Sequence, residues 1–276
     1  MQGGEVKQGQ RFTLPPAPTT LPPRAPLARR DAAGPRPSPL PTLQTVLLVG
    51  PVLLFSMVAH EIAHGYAALQ QGDTTALDAG RLSWNPVRHI DPILTILLPL
   101  LMLVGSQAIG KGGFVIGGAK PVPVNPANFR HPRRSDVLVS LAGVTANFFV
   151  ALGCVLLIAL TGALGRSVDA LTPTLGILQA MFAYGIWINA GLIAFNLLPI
   201  PPLDGSHVVR HLLPARLALP YARFGRYGIF LLFAIMAVWP RGLELWLAPT
   251  QWAAGSSLIT LVNNGLVLPA AAPWLR

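Results

Sequence analysis

Two histidines and a glutamate stand within five consecutive residues, in the order His60-Glu61-Ile62-Ala63-His64. On an α-helix, residues four positions apart share one face, so both imidazoles can reach a single metal ion. Glu61 lies beside that face, where its carboxylate can take a proton from a metal-bound water. The pattern therefore predicts a metal site with a general base, provided that this stretch is helical.

This pattern lies in an apolar part of the chain. Residues 45–59 contain no ionisable side chain, and the apolar character continues to about Leu69. Ionisable groups within a membrane span cost several kcal/mol unless something compensates them, and a metal ion would compensate all three. The alternative is a helix that ends at the headgroups. Residues 45–59 cover only about 22 Å of a core about 30 Å thick, which favours a helix that continues through the motif.

A catalytic zinc ion takes three protein ligands and leaves a fourth position for water. Because Cys154 is the only cysteine, the ligands must be nitrogen and oxygen atoms. Asp204 is the best third candidate, since it follows the longest uncharged stretch, 171–203, and three prolines. The alternative for Asp204 is an ordinary Asp-Gly turn or a helix cap. His207 and His211 could form a second metal pair, but we expect them to be loop residues.

The composition is typical of a membrane protein. Of the 276 residues, 52% are hydrophobic and 11% are charged, and the mean hydropathy is +0.54. The net charge of +10 does not indicate a nucleic-acid partner, because the basic residues lie between apolar blocks and form no compact basic domain with interleaved aromatics. We expect an all-α polytopic membrane protein with about four to six membrane-embedded helices. The predicted spans are about 43–69, 137–160 and 175–198, with a further helix at about 227–239.

The remaining segments are of several kinds. Residues 1–42 are rich in proline and arginine, and we expect a disordered tail before an intramembrane domain at 43–276. The block 93–110 is short and contains Pro99, which predicts a re-entrant segment. The stretch 112–124, with glycines around an apolar run and then alternating prolines, predicts a small β-hairpin or edge strand. The region from Leu243 either spans the membrane or lies along its interface.

Taken together, these motifs resemble the site-2 protease family of intramembrane zinc proteases. The resemblance covers roughly residues 45–215, and its last motif is the most specific. The residues that carry it are His60-Glu61-Ile62-Ala63-His64-Gly65, Gly72-Asp73, Gly80-Arg81-Leu82, Asn85-Pro86, His89-Ile90-Asp91-Pro92, Ala119-Lys120-Pro121-Val122-Pro123-Val124-Asn125-Pro126 and Phe195-Asn196-Leu197-Leu198-Pro199-Ile200-Pro201-Pro202-Leu203-Asp204-Gly205.

The resemblance implies one catalytic zinc ion, bound by His60, His64 and Asp204, with Glu61 as the general base. It also implies that Asn196 helps to hold the scissile peptide or its oxyanion, with Asn147 in a supporting or equivalent role.

One departure from the family pattern is visible. The family usually has Gly-Pro-x-x-Asn in the next span, whereas Gly143-Val144-Thr145-Ala146-Asn147 lacks the proline. The backbone around Asn147 can therefore differ from the family's.

The three proposed ligands must meet at one depth in the membrane, which constrains the topology. The histidines lie near the exit of the first span, and Asp204 lies just past the exit of 175–198. If 93–110 crossed the bilayer, Asp204 would emerge on the opposite face, about 20–30 Å away. A re-entrant 93–110 places both exits on one face.

The charges of the loops predict on which side of the membrane that face lies. Its loops would carry most of the basic residues, whereas the opposite loop, 162–174, contains only Arg166. An excess of basic residues marks the cytoplasmic side. The arginines of the tail 1–42 disagree, since the tail would lie outside. We expect a multi-pass integral protein of the cell membrane, with its active site nearer the cytoplasmic face.

The predicted function is a zinc-dependent intramembrane endopeptidase. Its partners would be the lipid bilayer and a transmembrane or membrane-associated protein substrate. The alternative is a metal or solute transporter that uses the histidine pair as a transit site, although the spans offer little polarity outside this one cluster. The sequence contains no signal for the identity of the substrate, the cleavage position or the oligomeric state.

Overall fold

A computed structural model describes residues 43–97 and 118–274, and all regular structure in these residues is helical. In chain order the α-helices of the described residues are α1 (Leu43–Gln70), α2 (Thr75–Asp78), α3 (Pro132–Ser167), α4 (Thr172–Asn196), α5 (Asp204–Leu212), α6 (Ala215–Phe224), α7 (Gly228–Val238) and α8 (Pro240–Asn263). The predicted tail, 1–42, lies outside the described residues.

Four helical stretches are long and apolar enough to cross a membrane: Val46–Gln70, Pro132–Ser167, Asp169–Asn196 and Ala215–Val238. Large apolar side chains on α3 are exposed, as expected for a surface that faces lipid, and they include Phe148, Phe149, Leu156 and Leu160. The prediction of an all-α polytopic membrane protein is therefore confirmed.

The core is built around the contact between α3 and α4, against which α1 and α8 also pack. A buried cluster joins Cys154 and Ile158 of α3 to Ile186 of α4 and Leu258 of α8. A polar link supplements this packing, since the Asn189 side-chain amide donates to the Ser56 hydroxyl over 2.8 Å. This bond between α4 and α1 is the helix–helix hydrogen bond that is typical of a buried asparagine in a span.

The C-terminal region forms the helix α8 and a short 3₁₀ turn, Pro269–Trp274. Gln179 of α4 is almost fully buried and holds the chain beyond α8, because its amide donates to the Leu266 carbonyl over 2.8 Å and accepts from the Leu268 N–H over 2.8 Å. The end of the described chain is therefore fastened to the helix bundle, and α8 is not among the four candidate spans.

Two predicted features fall partly outside the described residues. Of the predicted re-entrant block 93–110, only residues 93–97 are described, and they belong to a short π-helical stretch, Pro92–Leu97. Of the stretch predicted as a β-hairpin or edge strand, residues 118–124 are described, and they form no strand. They run as an irregular segment between the polar loop after α1 and the start of α3, and this segment reaches the site described next.

Candidate metal centre

The structure brings His60 and His64 of α1 together with Asp204, the first residue of α5. The Asp204 Oδ2 atom lies 3.2 Å from His60 Nε2 and 3.4 Å from His64 Nε2. The two Nε2 atoms are 3.0 Å apart. Among the residues that the structure describes, these are the one group of three side chains whose nitrogen and oxygen atoms converge in the way a metal ion requires.

Each histidine is oriented by a hydrogen bond from its other ring nitrogen. His60 Nδ1 lies 2.9 Å from the Asn147 side-chain oxygen, and His64 Nδ1 lies 2.7 Å from the Val139 carbonyl oxygen. Both partners are acceptors, so each neutral imidazole carries its proton on Nδ1 and presents the Nε2 lone pair to the centre. Such outer contacts fix the tautomer and the ring orientation of metal-binding histidines.

The donor set fits a zinc ion. Asp204 Oδ2 is buried and has no hydrogen-bond partner, and it faces two Nε2 lone pairs. Three acceptors at 3.0–3.4 Å repel one another unless a cation lies between them. A tetrahedral site with metal–ligand bonds of about 2.0–2.1 Å has edges of about 3.3 Å, which matches these separations. Two imidazoles and a carboxylate are also ligands that zinc accepts.

One face of α3 builds the surroundings of the histidines. Gly143 faces both rings, and a Cβ atom at this position would lie 2.5 Å from His60 Cε1 and 2.5 Å from His64 Nε2. Asn147 follows four residues later and Val139 precedes by four, so all three share one stripe of the helix. The glycine leaves the space that the imidazoles fill, and its neighbours hold their Nδ1 atoms.

The two asparagines predicted to bind substrate differ in their contacts. The Asn147 side chain is fully buried, and its Nδ2 has no hydrogen-bond partner in the structure. The Asn196 Nδ2 donates to the Leu192 carbonyl of its own helix over 3.0 Å. A buried donor without a partner costs free energy that a substrate carbonyl would recover. Asn147 therefore has a free donor as well as its bond to His60.

Glu61 is held by the chain segment before α3. Its Oε2 accepts a hydrogen bond from the Val122 backbone N–H over 2.8 Å. We call residues 118–125 the proline segment, because Pro121 and Pro123 flank this valine. The sequence contained no signal for this contact, since the two partners are 61 residues apart.

Asp73, just after α1, fastens the end of the proline segment. It is fully buried and accepts hydrogen bonds from the Asn125 N–H over 2.7 Å, from Asn128 Nδ2 over 2.8 Å and from the Thr75 hydroxyl over 2.5 Å. Burial by itself would raise the pKa of this carboxyl group, but the hydrogen bonds from Thr75, Asn125 and Asn128 outweigh burial and hold the pKa below its ordinary value.

The prediction that His207 and His211 are loop residues is wrong. Both lie on α5, where positions three and seven residues after Asp204 share its face. They contact the buried Asp136 of α3: His207 Nδ1 lies 3.1 Å and His211 Nε2 2.6 Å from its oxygens, and Arg210 donates to it over 2.8 Å. The guanidinium already neutralises Asp136, so this cluster is an anchor for α5 rather than a second metal pair.

Helices that cross a membrane, with a buried histidine pair, a facing carboxylate and an adjacent glutamate, define the class of membrane-embedded metalloproteases. The family model described as "Peptidase family M50" matches residues 50–239. The chain belongs to this family, which is the site-2 protease family. The predicted resemblance is confirmed, and zinc is the cofactor of this family of metalloproteases.

Relatives agree with this assignment. A Bacillus subtilis protein named "Putative zinc metalloprotease YwhC" is 38% identical over 212 residues, which cover 76% of this chain and 89% of the relative. The Rip2 protein of Mycobacterium tuberculosis, named in the same way, is 32% identical over 220 residues, 78% of each chain. Rip2 of Mycolicibacterium smegmatis is 31% identical over 211 residues, 75% of this chain and 73% of the relative. No solved structure matches the chain.

Proposed function

We propose that this zinc metalloprotease is an intramembrane endopeptidase whose zinc ion is bound by His60, His64 and Asp204. The observation that carries the proposal is the convergence of two Nε2 atoms and one carboxylate oxygen at 3.0–3.4 Å. The two histidines come from an apolar helix that is long enough to span a membrane. The transporter alternative receives no support from the relatives, which are named as metalloproteases.

The zinc ion and the residues around it have separate roles in the proposed reaction. When bound, zinc lowers the pKa of a coordinated water towards 7 and polarises a peptide carbonyl. Glu61 is the general base: its carboxylate accepts the proton of the attacking water and returns it to the leaving nitrogen as the peptide bond breaks. Asn147 and Val139 keep the two imidazoles in the tautomer that exposes Nε2.

Asn147 is the stronger candidate for stabilising the oxyanion. Its Nδ2 is a buried donor with no partner, one side chain away from His60. A donor that is already fixed when negative charge develops on the carbonyl oxygen lowers the barrier, because it needs no reorganisation. Asn196 keeps a role in holding the scissile peptide, with its Nδ2 bound to Leu192 of its own helix in this structure.

The proposed substrate is a protein with a transmembrane or membrane-associated segment. The carbonyls of a substrate helix are hydrogen-bonded within the helix, so the segment must unwind before attack. We propose that the protein lies in the cell membrane with the site nearer the cytoplasmic face. Residues 162–174, where α3 ends and α4 begins, contain Arg166 as their one basic residue, whereas basic residues are frequent in the other connections.

The test uses the purified full chain in detergent and in liposomes with a panel of single-span substrates. We expect cleavage that a chelator abolishes and added zinc restores, at a bond that mass spectrometry places inside the substrate's hydrophobic segment. Glu61→Gln should keep its zinc and lose cleavage by roughly 100- to 10,000-fold, the contribution of a general base. Cleavage confined to water-soluble loops would contradict the intramembrane proposal. Zinc-dependent solute flux that survives Glu61→Gln would favour a transporter.

A further inference from the structure

Val122 lies between two prolines, which restrict the conformations that its backbone can adopt. Pro121 and Pro123 carry no N–H, so the Val122 N–H is the one amide donor of the three residues. A residue that precedes a proline is biased towards extended conformations, and this applies to Lys120 before Pro121 and to Val122 before Pro123. The segment is stiff, and its single donor is directed at the Glu61 carboxylate over 2.8 Å.

The start of the proline segment is fastened to the polar loop that follows α1. The Lys120 N–H donates to the His89 carbonyl over 2.8 Å, and Arg81 Nη2 donates to the Lys120 carbonyl over 2.9 Å. The Thr95 hydroxyl donates to the Gly118 carbonyl over 2.6 Å. Arg81 and His89, which belong to two of the motifs that carry the family resemblance, therefore hold this segment in place.

The middle and the end of the segment are fixed as well. Val122 is buried and packs towards Gly65 of α1, where an added Cβ atom would lie 3.0 Å from Val122 Cγ1. Asn125 is bound to the buried carboxylate of Asp73. With contacts before and after it, the Val122 N–H has little freedom to move relative to α1.

We infer that the backbone N–H of Val122 is a positioning group for the general base Glu61. A glutamate has three rotatable side-chain bonds, and ordering them costs conformational entropy. The fixed Val122 N–H donates a hydrogen bond to Glu61 Oε2, so the carboxylate is oriented before the substrate binds. The other carboxylate oxygen, Oε1, can then accept the proton of the attacking water. This inference rests on the proposed function, since it assigns a partner to the base of that reaction.

The decisive variant replaces the Val122 N–H by an ester oxygen while keeping the side chain. The α-hydroxy analogue of valine is introduced at position 122 of the full chain by nonsense suppression. A hydrogen bond to a charged group corresponds to roughly a 10- to 100-fold effect, so we expect kcat to fall by about that factor. KM and zinc content should change by less than about threefold, because neither the ligands nor the substrate surface is altered.

The same ester at Val124 is the matched control. The Val124 N–H has no hydrogen bond within the part of the chain that the structure describes. Equal losses from both esters would overturn the inference, as would a raised KM with an unchanged kcat, which would indicate that the segment binds substrate instead. Val122→Ala keeps the N–H and removes the packing, so its loss of kcat should be several-fold smaller than that of the ester.

A second measurement does not depend on cleavage. Hydrogen exchange at the Val122 amide should be slow in the wild-type chain and at least about tenfold faster in Glu61→Ala. The Asn125 amide, bound to Asp73, should exchange at the same rate in both. An unchanged rate at Val122 would overturn the inference. A wild-type chain that cleaves no substrate would instead overturn the proposed function, so the two failures can be told apart.

Discussion

The Asn147 side-chain oxygen lies 2.9 Å from His60 Nδ1, although the two residues are 87 positions apart in sequence. This contact couples α3 to the metal centre on α1 and fixes the tautomer of one proposed ligand. The other end of the same amide, Nδ2, is buried without a partner. In the proposed function this side chain has two separable roles, orientation of a ligand and donation to the substrate.

Substitutions of Asn147 should separate these two roles. Asn147→Ala removes both atoms, and we expect zinc affinity to fall by about 10- to 100-fold, as measured by competition with a chelating dye. Asn147→Asp keeps an acceptor for His60 and should restore most of the zinc affinity. It lacks the Nδ2 donor, so cleavage should remain reduced by about 100-fold or more. An aspartate variant that cleaves like the wild type would rule out the oxyanion role.

Gly143 should tolerate no larger residue. In Gly143→Ala the new methyl group would lie 2.5 Å from both imidazoles, so the rings must move apart. We expect loss of zinc binding and a cost of about 1–3 kcal/mol in stability, the usual cost of overpacking. Gly153→Ala on the same helix is the control, because a Cβ atom there meets nothing within 4 Å. Zinc content and thermal unfolding in detergent measure both effects, and equal behaviour of the two variants would contradict the prediction.

Asp136 should stabilise the position of α5, and through it that of Asp204. Asp136→Asn removes the counter-charge of Arg210 and one of the two carboxylate oxygens that face the histidines. Because Arg210 and His207 are partly exposed to solvent, we expect a moderate cost of about 1–3 kcal/mol. Zinc affinity should also fall, since the third ligand loses its anchor.

Asp169→Asn is the matched control for Asp136, because Asp169 is exposed at the other end of the α3–α4 pair. Its unfolding temperature and zinc affinity should equal those of the wild type. If Asp136→Asn binds zinc as tightly as Asp169→Asn, α5 does not need this anchor.

Asp73 predicts a pH dependence of stability. Its hydrogen bonds hold the pKa of the folded state below the ordinary value near 4. A depressed pKa contributes stability that is fully present above the unfolded-state pKa and is lost as the pH falls through the folded-state pKa. The difference in unfolding temperature between the wild type and Asp73→Asn should therefore be largest at neutral pH and should shrink below about pH 4.

The difference between the two chains isolates Asp73, because all other carboxylates are common to both. Asp78→Asn, which alters an exposed acid on α2, should show no such pH-dependent difference. A gap between the wild type and Asp73→Asn that stays constant from pH 7 to pH 3 would contradict the assignment.

The shared face of His60 and His64 and the apolar helices could be predicted from the sequence, because both depend only on residues that are close together in the chain. The spacing of His60 and His64 predicted a shared face, and the helix α1 has it. The apolar block predicted at 43–69 matches Leu43–Gln70, and the block at 175–198 is close to Thr172–Asn196. Length and hydropathy suffice for these boundaries, since a bilayer requires apolar helices of a set length.

The predicted helix boundaries are wrong where polar contacts extend a helix beyond its apolar part. The span predicted at 137–160 is observed as Pro132–Ser167, because the first turns of α3 carry polar residues such as Asp136 that bind α5. The loop prediction for His207 and His211 is wrong for a related reason. Their polar character conceals the helical spacing, which becomes meaningful only once Asp136 is known to face them.

The sequence by itself determined which residue types were available for the proposed chemistry, which parts of the chain form apolar helices, and that His60 and His64 share a face. Only the tertiary structure decided that Asp204 meets them at 3.2 and 3.4 Å, that Asn147 orients His60 and that Val122 holds Glu61. The physical reason is distance along the chain: helical periodicity relates residues within a few turns, whereas contacts across 61 to 144 residues depend on how whole helices pack.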